Sequence, residues 1–298
     1  MLAGRGITRS FSIEPQGPFS LAEAATFGFG QREAAVYDGV MRLAFCLDGY
    51  RQHAGAEVRQ DERGVQVAII GDADVEIDAV RQQVARVLSL DHDGRDFTAV
   101  GERDDVIKSL QRVAPGLRPP LFYSPYEAAA WAVLSTRRST MQAAAVRRRL
   151  SEAHGTTFTL AGERLAALPT PEQLLEVSSF PGIDETRLRR LHGVATAALD
   201  GRLDAAGLLA IGPDAAMAEL RTLDGIGPFY SSLIVVRATG FADVLPATEP
   251  KLMALVARQY GLAAPPSPEQ LAAVAEPWRP LRTWAGVLIR AAAHRLGA

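Results

Sequence analysis

Residues 223–249 constrain the chain more than any other stretch. They begin Leu-Asp-Gly-Ile-Gly-Pro and end Ala-Thr-Glu. Pro213 suits the first position of a helix over 213–222, and Gly225 suits the left-handed residue that stops it. Gly227 then serves as the cap of a second helix, with Pro228 at its first position and Gly240 at its end. The outcome is two helices joined by a very tight Gly-Ile-Gly turn. Such a turn leaves backbone N–H groups pointing outward at a helix N-terminus, which is a ready site for a phosphate. About twenty residues on, Glu249 precedes Pro250, which again suits a first helical position. Glu249 or Thr248 therefore caps a third helix, where the helix dipole favours an ionised carboxylate.

With 298 residues, 48% of them hydrophobic and 22% charged, the chain has room for two or three domains around substantial cores. The single cysteine, Cys46, excludes an internal disulfide framework and any cysteine-ligated iron–sulfur cluster. No apolar run approaches the roughly 20 residues of a membrane span, and the N-terminus lacks a signal-peptide apolar region. A cytoplasmic protein without a membrane partner is expected. The net charge of −2 hides an asymmetry. Residues 1–105 hold 11 arginines and 18 acids, a balance of −7, whereas the remainder holds 21 basic residues and 16 acids, a balance of +5. A basic C-terminal two-thirds fits a local phosphate-binding face. Arginine supplies nearly all of that charge, because the only lysines are Lys108 and Lys251.

Taken in order, residues 1–8 read as a flexible leader. Over 9–103, strand-like pieces stand at 11–13, 44–47, 57–60 and 65–70, and the turn Asp61-Glu62-Arg63-Gly64 suggests a hairpin between the last two. Helices are expected at 20–26 and 74–88, the second with Val75, Ile77, Val80, Val84 and Val87 on roughly one side. This is an α+β domain. Over 104–298 the sequence is almost wholly helical, with helices expected at 104–113, 125–135, 138–154, 160–167, 171–177, 184–200, 204–210, 213–222, 228–239, 250–260, 268–275 and 279–296. They form one helical mass, or two subdomains with a cleft between them. Arg147, Arg148 and Arg149 span too much of their helix to make one patch and read as a solvated face. His154, His192 and His294 lack partner spacing for metal or triad work.

The hairpin, its Gly/Pro loop and the acid twenty residues on resemble the helix-hairpin-helix DNA base-excision glycosylase superfamily, in particular the bacterial 3-methyladenine DNA glycosylase II family. Other landmarks follow in the family's order. Gly116-Leu117-Arg118-Pro119-Pro120 and Ser124-Pro125-Tyr126-Glu127-Ala128 look like its opening of the helical domain, and Pro169-Thr170-Pro171-Glu172 and Gly182-Ile183 match its next landmarks. Glu276-Pro277-Trp278-Arg279-Pro280-Leu281-Arg282-Thr283-Trp284-Ala285 resembles its closing helix. The resemblance spans nearly the whole chain. It implies an α+β N-terminal domain followed by an all-α helix-hairpin-helix glycosylase fold with the hairpin at 213–240. The expected partner is double-stranded DNA containing a damaged base, bound by a monomer.

The resemblance also implies a mechanism. A flipped base enters a pocket, the N-glycosidic bond breaks, and a fixed carboxylate stabilises the oxocarbenium-like sugar. The family's catalytic residue is an aspartate, and the matching position here is Glu249. Its extra methylene moves the carboxylate by roughly an ångström, a displacement that can matter greatly to rate. Glu249 is therefore the catalytic candidate, and an exposed acid on a lesion-binding protein without catalysis is the alternative; Asp243 is a weaker substitute. Lyases of the superfamily carry a nucleophilic lysine beside the hairpin, where this chain has Pro228, Phe229 and Tyr230. A monofunctional hydrolase is implied, and Lys251 reads as a solvated charge. Arg137 occupies the position of the residue that fills the gap left by the flipped base, and Arg137 or Arg138 is expected to contact DNA. Leu223, Gly225, Ile226 and Gly227 would bind phosphate through the backbone without reading sequence. In the family, hairpin carbonyls also hold a monovalent cation, for which Leu223 is the candidate; no cofactor is required. Candidates for the base pocket are Phe229, Tyr230 and Trp284, with Phe19 and Phe27 from the N-terminal part, since aromatic faces hold cationic bases. Each of these aromatics has core packing as its alternative.

Overall fold

The computed structural model describes residues 7–27, 37–71 and 74–296, without the side chains of residues 7 and 8. Residues 1–6 of the expected leader lie outside the described residues, and residues 7 and 8 open the first strand. The chain begins with β1 (Ile7–Ile13), α1 (Leu21–Thr26), β2 (Met41–Cys46), β3 (His53–Asp61), β4 (Gly64–Gly71) and α2 (Ile77–Val87). The four strands are antiparallel in the order β1-β4-β3-β2. Register places Phe11, Val67, Val58 and Met41 in one row across the sheet. All four are buried, together with Val80, Val84 and Val87 of α2. Period-2 alternation in the strands and the valine stripe of α2 thus meet in one core.

The helices follow as α3 (Gly94–Arg103), α4 (Asp105–Val113), α5 (Pro125–Ser135) and α6 (Thr140–His154). A hairpin of β5 (Thr157–Leu160) and β6 (Glu163–Ala166) comes next, then α7 (Pro171–Leu175), α8 (Glu185–Leu199), α9 (Ala205–Ala210), α10 (Pro213–Leu220) and α11 (Pro228–Ala238). The chain closes with α12 (Pro250–Gln259), α13 (Pro268–Val274) and α14 (Arg282–Ala292).

Two expectations are corrected here. The helix expected over 160–167 is the β5–β6 hairpin. Thr157-Phe158-Thr159-Leu160 alternates, with Phe158 and Leu160 buried, and Ala161 (φ 43°) and Gly162 (φ 84°) supply the left-handed pair that a two-residue hairpin turn requires. The hairpin packs on the sheet at Gly55, where an added Cβ would lie 2.8 Å from the Phe158 ring. The second correction concerns Arg147, which is not solvated. It is buried and pairs with the fully buried Glu127 at 2.7 Å, while Glu127 also accepts the Cys46 N–H at 3.1 Å. Burial pushes the Glu127 carboxyl up and Arg147 opposes that shift.

The helices gather around two apolar clusters. One surrounds α5, whose residues from Pro125 to Leu134 are all buried, as befits a helix apolar on every side. It draws in α6, α8, α10 and α11. The other joins α3 and α4 to α12, α13 and α14, bringing Phe97 and Ile107 against Leu252, Trp278 and Leu288. Arg118 lies where these parts meet the sheet side and is 1% exposed. Its guanidinium donates to the carbonyls of Pro18 (2.9 Å), Ser89 (3.0 Å) and His92 (3.0 Å), and to those of Gln16 and Gly17. Burial brings its pKa down to about 10, so it keeps its charge at neutral pH. Among the described residues no helix is long and apolar enough to cross a membrane.

Candidate active site

The turn between α10 and α11 is built as its residues dictate. Gly212 and Pro213 start α10, and the chain reverses at Gly225 with φ +91°. The Ile226 N–H closes the turn on the Leu223 carbonyl at 3.0 Å, and both side chains are buried as anchors. Gly227 caps α11 with ordinary extended dihedrals (φ −87°, ψ −174°), and Pro228 takes the first helical position. A Cβ at Gly225 would meet the Arg190 side chain at 2.9 Å, whereas one at Gly227 would meet nothing within 4 Å. The open side of the turn is therefore at the start of α11, where the first N–H groups have no intrahelical acceptor.

Glu249 is the N-cap of α12. Its Oε2 accepts the Leu252 N–H at 2.7 Å and its Oε1 the Lys251 N–H at 3.3 Å. The carboxylate is half-buried and opens onto a cavity of about 350 Å³. From α11 come Phe229, Ser232, Leu233, Val236 and Arg237; from α14 come Thr283, Gly286, Val287 and Arg290; and Phe27 lies on the sheet side of the chain. The cavity thus lies between the hairpin's second helix and the helix pair α12–α14. Phe229 is 58% exposed at its mouth and meets Tyr230 edge-on at a centroid distance of 5.2 Å.

Three of the five aromatics expected in the base pocket are not brought to this cavity. Trp284 is 2% exposed, packs edge-on against Phe97 and His92, and lies with Phe19 around the guanidinium of Arg118, each ring centroid 5.7 Å from it. Both serve the joint that Arg118 pins. Tyr230 turns toward α5, where its hydroxyl lies 3.0 Å from that of Ser135. Asp243 is likewise committed elsewhere: it pairs with Arg279 and Arg282, each at 2.8 Å. Those contacts tie the loop before α12 to the start of α14.

No protein-family model matches the chain. The probable bifunctional transcriptional activator/DNA repair enzyme AlkA of Mycobacterium tuberculosis is 30% identical over 206 residues, which are 67% of this chain and 40% of that relative. The chain therefore spans less than half the length of this curated relative. The solved 3-methyladenine DNA glycosylase of Archaeoglobus fulgidus superposes with a TM-score of 0.70 at 20% identity, covering 97% of this chain and 99% of that one. MBOgg1, solved in complex with a low-affinity DNA ligand, superposes with a TM-score of 0.73 at 17% identity, covering 98% and 97%. The chain has the fold of the helix-hairpin-helix DNA glycosylases.

Arg137 sits in the turn between α5 and α6. It is exposed and left-handed at φ 55°, a conformation that an arginine adopts only when its surroundings impose it. Arg187 braces this turn by donating to the Thr136 carbonyl at 2.9 Å. Arg138 is drawn inward instead, donating to the carbonyls of Gly182 and Leu134, so the two neighbouring arginines have separate tasks. Lys251 is exposed at the start of α12. The residue that sequence reasoning missed is Arg290, whose Nη1 lies 2.7 Å from Glu249 Oε1. Its signal was present: Arg290 is a lone charge in the closing apolar run from Val287 to Ala293.

Proposed function

We propose that the chain is a monofunctional DNA glycosylase that hydrolyses the N-glycosidic bond of an alkylated or otherwise modified base. The base turns out of the duplex into the cavity beside Glu249. The observation that carries this reading is the position of one carboxylate, held at a helix N-terminus and facing an apolar, partly aromatic cavity beside the hairpin. As the sugar develops positive charge, the ionised carboxylate stabilises it and orients water toward C1′. The turn holds a phosphate through the N–H groups near Gly227, with Leu223, Gly225 and Ile226 fixing its shape. Arg137 enters the space that the base vacates. The Leu223 carbonyl, which accepts one N–H from Ile226, has a second lone pair for a monovalent cation that would strengthen phosphate binding. The lysine positions favour hydrolysis without a lyase step, since neither Lys108 nor Lys251 lines the Glu249 cavity.

The test is base release from duplexes that each carry a single modified base, comparing the wild type with Glu249→Gln. Release by the wild type and a loss of about a hundredfold or more in the variant is expected. A second reading, lesion binding without cleavage, draws on the full engagement of Glu249 by two backbone N–H groups and Arg290. Tight, lesion-selective binding with no free base from either protein would favour it.

A further inference from the structure

Arg290 gives the proposed site a charge balance unsuited to a cationic base. Among the described residues lining the cavity, Glu249 is the one acid, and Arg290 and Arg237 line it as well. Glu249 and Arg290 neutralise each other at 2.7 Å. The Arg237 guanidinium lies 5.3 Å from the Phe27 ring centroid and donates to the Pro120 carbonyl at 2.6 Å. One of the cavity's two aromatic rings, Phe27, is therefore already next to a cation, which reduces what it can offer a second one. The Thr283 hydroxyl is used as well: it donates to the Val244 carbonyl at 2.8 Å and accepts the Val244 N–H at 3.0 Å. Arg290 is a charged group at the carboxylate that can change partner, since its side chain is 35% exposed.

We propose, on the basis of the glycosylase reading above, that Arg290 selects neutral modified bases carrying a carbonyl or ring-nitrogen acceptor. When such a base enters, its acceptor replaces Glu249 as the partner of Arg290. Glu249 Oε1 is then free to face the sugar. The C1′–N bond breaks with both electrons leaving on the base, and the guanidinium stabilises the resulting anion. Water adds its oxygen to C1′ and gives one proton to Glu249. Glu249 passes that proton on through solvent to the base nitrogen, so the products are a sugar hydroxyl and a neutral base bearing N–H, and the carboxylate is restored. A base that is already cationic leaves without this help. It meets a like charge at Arg290 and leaves the Glu249–Arg290 pair closed.

Single-turnover base release is measured with duplexes carrying hypoxanthine, a neutral base with acceptors, or 7-methylguanine, a cationic one. Wild type, Arg290→Leu and Arg290→Gln are compared, each checked for an intact melting transition. The proposal expects Arg290→Leu to slow hypoxanthine release at least tenfold while 7-methylguanine release stays level or rises. Arg290→Gln, which keeps a donor without the charge, recovers part of the hypoxanthine rate. Equal slowing of both releases by Arg290→Leu would overturn it, as would a wild type that releases only the cationic base. A wild type that releases neither base at enzyme excess overturns the glycosylase reading, and this inference with it. A wild type that releases both bases, with both rates changed alike by Arg290→Leu, overturns the inference alone.

Discussion

The hydroxyls of Tyr230 and Ser135 lie 3.0 Å apart and join the first turn of α11 to the last turn of α5. One contact thus couples the proposed phosphate anchor to the turn that presents Arg137. Tyr230→Phe removes it without changing the ring. A loss of about 0.5–1.5 kcal/mol is expected in chemical denaturation. Lesion-duplex affinity, measured by fluorescence anisotropy, should fall as well, because the anchor and the turn no longer hold a fixed separation.

The two glycines of the turn should respond in opposite ways. Gly225→Ala forces a side chain into a left-handed residue and against Arg190, and should cost about 1 kcal/mol or more of stability. Gly227→Ala has space and a permitted backbone, so its melting temperature should stay near that of the wild type while DNA affinity drops several-fold. A Gly227→Ala protein that binds normally would remove the phosphate from this turn.

Arg137 stores strain that its proposed role requires. Arg137→Gly relieves the left-handed backbone and should raise stability by about 0.5–1 kcal/mol. Affinity for a lesion duplex should nevertheless fall. A stabilised variant with unchanged binding would assign the strain to something other than DNA contact.

Arg118 donates to five carbonyls from one guanidinium. Arg118→Lys supplies three donors from one point in place of a planar fork. It should destabilise the protein by about 3 kcal/mol or more, read as a shift of the urea midpoint at unchanged slope.

His53 sets an acid limit. Its Nε2 lies 2.8 Å from the Leu168 carbonyl and its Nδ1 2.9 Å from the Thr156 hydroxyl, an arrangement that suits the neutral ring donating from Nε2. Burial lowers its pKa below the ordinary value of 6.5. The stability this gives is present above pH 6.5 and is lost as the pH falls from there through the folded value, since the unfolded chain protonates first. Melting curves between pH 7 and 5 should fall for the wild type and flatten for His53→Gln.

The sequence made the hairpin legible because Pro213, Gly225, Gly227 and Pro228 act within a few residues of one another, and caps are local chemistry. The cap at Glu249 was legible through Pro250 for the same reason. Arg290 was not, because its partner is 41 residues away and their meeting depends on how α12 packs on α14. The aromatics show the same limit. Trp284 lies in a helix buried from Thr283 to Ile289, and periodicity cannot say which of its sides looks into a cavity. Nor could composition place Arg147, whose partner Glu127 lies on a helix buried from Pro125 to Leu134. The β5–β6 hairpin was misread because its four-residue strands are too short to outweigh a helical neighbourhood, although the Ala161-Gly162 turn carried the signal.

The second apolar cluster ties residues near 97–117 to residues near 252–293 across everything between them. During synthesis, the early half of that cluster leaves the ribosome long before its other half exists. The wall carrying Glu249 and Arg290 closes only when α14 arrives, after the hairpin has emerged. A nascent chain can thus display the proposed phosphate anchor before it has the cavity proposed for bond breaking.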